Sequence, residues 1–77
     1  MITTYEIQNA KNTTELNEMV EKAAFERNCE LDSSSTYEES ADWFDEEAPK
    51  AGNGEGGMRE LADILRAAET RWFELEQ

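Results

Sequence analysis

Eight carboxylates, Glu30, Asp32, Glu38, Glu39, Asp42, Asp45, Glu46 and Glu47, fall between Asn28 and Pro49 with no Lys or Arg among them. Carboxylates at this density can do three things. A pair with split pKa values can act as acid and base, a cluster can hold a divalent cation, and an array can display charge to a basic partner. The first needs a cleft that shifts one pKa, and a chain of 77 residues has little bulk to build one. For the second, Asp42, Asp45 and Glu46 would bind Ca²⁺ or Mg²⁺ only weakly, because the EF-hand spacing and its glycine are missing. The chain has no His and one Cys, so ordinary zinc sites and His-activated nucleophiles are excluded. The sequence therefore reads as a non-enzyme with no cofactor and no metal, and charge display remains.

Carboxylates three and four apart on a helix stand about 5–6 Å from each other at Cβ. Successive phosphates of a nucleic-acid strand have a similar separation. Glu38, Asp42, Asp45 and Glu46 on one helix face would imitate a short phosphate track, with Glu39 and Glu47 beside it and Glu30 and Asp32 extending it. Trp43, between Asp42 and Asp45, is the candidate anchor, because aromatic side chains carry much of the energy of interfaces. The expected partner is a basic nucleic-acid-binding protein. The formal charge of −12 argues against direct binding to nucleic acid or to an anionic membrane surface. The competing reading is an acidic helix face that is merely solvated.

The elements that must hold these residues follow from pattern. Met1–Gln8 alternates in part, with Ile2, Tyr5 and Ile7 and two Thr between, and its β-branched and aromatic residues predict a short strand. Asn12 or Thr13 caps a helix whose stripe is Leu16, Met19, Val20 and Ala23. Phe25 falls nearly opposite Leu16, marking the helix end or a second contact face. Cys29 and Leu31 alternate with acids, so a second short strand pairing with residues 2–7 fits, followed by Ser33–Ser35 as loop. Thr36 with Glu39, or equally Ser35 with Glu38, forms a capping box for a helix with Tyr37, Ala41, Phe44 and Ala48 on its inner stripe. Pro49 ends that helix at or just before Ala48. A Gly-rich loop spans 50–57. Met58–Glu76 is a helix with Leu61, Ile64, Leu65, Ala68, Trp72 and Leu75 on one side. The expected fold is one α+β domain over 1–77, with three helices and one or two short N-terminal strands. The alternative is an all-α three-helix fold. Cys29 has no intramolecular disulfide partner, which suits a reducing compartment. Met1–Asn12 lacks the charge and apolar run of a secretory signal, and the expectation is a protein of the host-cell cytoplasm.

The stretch Ala41–Ala48, Ala-Asp-Trp-Phe-Asp-Glu-Glu-Ala, resembles a segment of the small acidic anti-CRISPR proteins of phages. It is most similar to the type I-F inhibitors that mimic double-stranded DNA. Size, acidity and a final amphipathic helix are similar too. The glycines of Lys50–Gly57 and the cations Arg59, Arg66 and Arg71 depart from that pattern. The resemblance implies an α+β fold, a CRISPR effector complex subunit as partner and blocked loading of target DNA. A rival function is a small helical interaction module, an antitoxin or adaptor, docking through Trp72, Phe73 and Leu75. Charge mimicry weakens sharply with salt, whereas an apolar dock does not.

Overall fold

The computed structural model describes residues 1–77. It contains four α-helices: α1 (Thr4–Gln8), α2 (Thr13–Glu26), α3 (Tyr37–Glu47) and α4 (Glu55–Leu75). Two 3₁₀ turns, Ala48–Lys50 and Gly52–Gly54, join α3 to α4.

α4 is the spine. Its 21 residues are about 32 Å long at 1.5 Å per residue, most of the molecule's 38 Å long axis. Leu61, Ile64, Leu65 and Ala68 recur at helical spacing and are buried. Ile7 and Ala10, Leu16, Val20 and Ala23, and Ala41 and Phe44 join them in one apolar cluster. Each of the three shorter helices thus packs its apolar side on α4.

No strand forms, and the α+β expectation is corrected to all-α, with four helices rather than three. In place of the first strand, the Thr3 hydroxyl accepts from the Glu6 N–H at 3.4 Å and starts α1. A strand would place Tyr5 and Ile7 on one side. The helix instead buries Ile7 and leaves Tyr5 in solvent. The second expected strand is also absent. Asn28 adopts φ 57°, a left-handed conformation that Asn tolerates better than most residues. Here Cys29 N–H donates to Ala24 O (2.9 Å) and Asn28 N–H to Phe25 O (3.1 Å), the paired bonds of a Schellman motif that closes α2. Further on, Asp32 Oδ1 accepts from the Ser34 N–H at 2.9 Å and from the Ser34 hydroxyl at 2.7 Å. That Asx turn satisfies the backbone locally, so 28–36 is an ordered loop.

The capping box at α3 is the Thr36–Glu39 pair. Glu39 N–H donates to Thr36 Oγ1 at 3.1 Å, and Thr36 N–H to Glu39 Oε1 at 2.8 Å. The segment 50–57 is more regular than a plain Gly-rich loop: Gly52 takes φ 60° at the start of the second 3₁₀ turn, and α4 already begins at Glu55.

Leu65→Ala should lower unfolding free energy by about 2–5 kcal/mol, the usual cost of emptying a buried leucine site. Thr36→Ala should cost about 1 kcal/mol. Urea denaturation followed by far-UV circular dichroism measures both, and an equal effect of the two substitutions would contradict this assignment of the core.

Candidate charge-display face

The inner side of α3 carries Ala41 and Phe44, so its acids are turned outward and sideways. They do not form one free track. Arg66 reaches across from α4 and bridges two of them, with Nη2 at 3.0 Å from Asp42 Oδ1 and Nη1 at 2.6 Å from Asp45 Oδ2. Lys50 Nζ lies 3.0 Å from Glu47 Oε2. Hydrogen bonds from Arg66 to Asp45, then to Asp42, push its pKa further above the usual arginine value. Exposed ion pairs like these add little to stability, because water and salt screen them. Their larger effect is local: Asp42, Asp45 and Glu47 present far less net charge than the sequence suggests.

The other sequence-selected acids divide by task. Asp32 orders the loop and Glu39 caps α3, through the bonds described above. Glu30, Glu38 and Glu46 are exposed and belong to no ion pair. The Glu38 N–H does donate to Glu69 Oε2 on α4 at 3.3 Å. Trp43 is 53% exposed and meets Phe44 edge-on, ring centroids 5.1 Å apart.

Four depressions that share lining residues surround the loop 28–36. One, of about 380 Å³, brings together Glu30, Asp32, Ser35, Glu39, Ser40, Trp43 and Phe44. A second runs past Glu21, Leu31, Asp32 and Tyr37. A third lies between Tyr37, Glu69 and Trp72, and a fourth between Glu21, Phe25, Glu30 and Leu31. Every charged residue lining them is a carboxylate, and no Lys or Arg lines any of the four. Glu21 and Glu69 were not legible as members of this face from sequence. They sit on α2 and α4, and only packing brings them beside Tyr37. The Tyr37 hydroxyl donates to Asn17 Oδ1 at 3.1 Å, and burial, then Glu21 and Glu69, push its pKa up.

The arrangement thus places carboxylates beside the exposed aromatic side chains Trp43 and Trp72. No three His, Cys, Asp or Glu side chains converge as a metal site, and no helix is long and apolar enough to cross a membrane. Comparisons with protein-family models, with curated proteins and with solved structures return no match to this chain.

The Asp32 carboxyl is held below the usual aspartate range, chiefly by the Ser34 side-chain hydrogen bond and then by the Ser34 N–H. Because the folded value is depressed, the turn's contribution is present above the unfolded aspartate pKa and is lost as pH falls through the folded one. Carbon-detected NMR titration should find Asp32 titrating below an ordinary aspartate, and Ser34→Ala should move it back upward. An ordinary midpoint in the wild type would show that the turn does not hold in solution.

Proposed function

We propose that this protein is an inhibitor that lays an all-acidic, aromatic-bearing face on the Lys/Arg-lined nucleic-acid-binding surface of a basic partner, excluding nucleic acid from it. One observation supports this reading most: the depressions around loop 28–36 have carboxylates as their only charged lining residues. Five of the seven cations in the chain are engaged elsewhere in ion pairs with Glu26, Asp42, Asp45, Glu47, Glu55, Glu60 and Glu74. A face of one sign steers a partner of the other and attracts it quickly at low salt.

The working set is Glu30, Asp32 and Glu39 from the sequence-selected acids, joined by Glu21 and Glu69, with Glu38 and Glu46 at the margin and Trp43 as the exposed aromatic group. Asp42, Asp45 and Glu47 contribute less because of Arg66 and Lys50. The likeness of Ala41–Ala48 to the anti-CRISPR segment makes a CRISPR surveillance complex the first partner to assay, with blocked DNA loading as the expected effect. The rival apolar-face module draws on Trp72 and Phe73, which remain 37% and 56% exposed. Leu75 packs against the core instead.

Glu21, Glu30 and Glu46 make no side-chain hydrogen bond or ion pair within the chain, so reversing them tests charge without removing a cap or a turn. The triple change to Lys should weaken binding to the surveillance complex by roughly 100-fold or more at low salt. It should also restore duplex loading, and wild-type affinity should fall steeply as salt rises. Undiminished binding by the triple variant at every salt concentration would refute mimicry and favour the apolar face.

A further inference from the structure

Phe25 lies on the side of α2 away from Leu16, Val20 and Ala23 and is 82% exposed, the most of any large apolar side chain here. The Schellman turn after it folds Cys29 back onto Ala24. With Leu31, these residues line an apolar depression of about 360 Å³. Its only charged lining groups are Glu21 and Glu30, neither of them in an ion pair, and Lys22 one turn back on α2 does not line it. Burial pushes the Cys29 thiol pKa up, against the opposing pull of Arg27. Burial thus disfavours the thiolate, and the thiol lines the depression as a slowly reacting wall.

The rim decides what fits. A second copy would bring its own Glu21 and Glu30 and a formal charge of −12, and anionic lipid or nucleic acid would meet the same repulsion. A protein segment with an apolar side chain flanked by Lys or Arg within one helical turn satisfies both floor and rim. We propose that this depression docks a basic amphipathic segment of a partner protein, its apolar side chain seated between Phe25 and Leu31 and its cations on Glu21 and Glu30. This docking rests on Glu21 and Glu30 of the acidic face proposed above, but it requires no nucleic-acid binding by the partner, and the Phe25→Ser result separates it from charge display alone.

Cys29 is the only thiol in the chain, so its alkylation by iodoacetamide reports occupancy directly. The probe is a synthetic amphipathic helix of about 15 Lys and Leu residues. Two controls replace every Leu by Ser, or every Lys by Glu. The Lys–Leu peptide should slow alkylation about tenfold near saturation, and neither control should. Phe25→Ser, whose folding is checked by circular dichroism, should weaken the peptide about tenfold, the loss of one apolar anchor. Equal protection by the Lys–Ser control would reduce the effect to charge alone and overturn the proposal. So would an unaffected Phe25→Ser variant. Protection that grows with protein concentration without peptide would assign the depression to a second copy, and protection by phosphatidylcholine vesicles would assign it to lipid; either result overturns the proposal as well.

Discussion

Positive charge is scarce in this chain: seven cations must serve beside nineteen carboxylates. Where the cations go decides what the rest of the surface can be. All four arginines enter ion pairs, and two of them also hold backbone. Arg27 Nη2 donates to Ile2 O at 3.1 Å and Nη1 to Ala23 O at 3.1 Å, with its side chain only 5% exposed. Arg71 donates twice to Ala10 O, at 2.9 and 2.7 Å. These bonds fasten the segment on either side of α1 to α2 and α4. Burying a guanidinium is costly unless its donors are paired; Glu26 and Glu60 lie within 3.7 and 3.4 Å of the Arg27 Nη atoms, while its buried Nε has no hydrogen-bond partner. No carboxylate of the loop 28–36 is in an ion pair with any of these cations, and within the loop Arg27 acts on the Cys29 thiol.

The helix dipole runs parallel to part of the pairing in α3, although Asp42 in mid-helix is also held by Arg66 and Glu46 in the last turn is unpaired. Glu38 and Glu39 lie in the first turn, where a negative charge is favoured by the unpaired N–H groups. They need no cation and have none. Asp45, Glu46 and Glu47 lie in the last turn, where the dipole opposes them, and two of those three are met by Arg66 and Lys50. The ion pairs thus relieve the end of the helix that is electrostatically strained and leave its beginning bare. The bare end is the one that adjoins the loop. Repulsion across so acidic a chain works against compactness, and the apolar contacts along α4 oppose it.

Helices α2, α3 and α4 were legible because each carries a long apolar stripe and two carry a side-chain cap. Helix α1 was not. Five residues cannot sustain a helix by their own propensity. Of Ile2, Tyr5 and Ile7 only the last two keep the two-residue spacing of a strand, and tertiary bonds from Arg27 and Arg71 override that partial pattern. The second false strand had a missed signal, Asn28 at the position where a helix commonly closes in the left-handed conformation. In the face itself, residue type was readable and pairing was not. Arg66 is 24 positions from Asp42, and nothing local announces that α4 crosses α3 there. For the same reason Glu21 and Glu69 stood outside the sequence-selected set, while Phe25 showed its separate orientation from helical phase alone.

Acids with structural tasks are not thereby lost to recognition. A carboxylate has two oxygens and about four acceptor sites. Glu39 uses Oε1 to close the capping box, and its other oxygen remains free to accept. Asp32 spends both oxygens on Ser34 and Ser35, but its Oδ2 bond to the Ser35 hydroxyl is long at 3.3 Å, leaving that oxygen's acceptor capacity largely open. Holding a side chain this way removes rotamer freedom before any partner arrives, which reduces the entropic cost of binding. A guanidinium approaching the 380 Å³ cleft would meet carboxylates already fixed by a cap and a turn. Glu30, unconstrained beside them, can adjust to its position. In this arrangement the bonds that fold the loop also orient its charge.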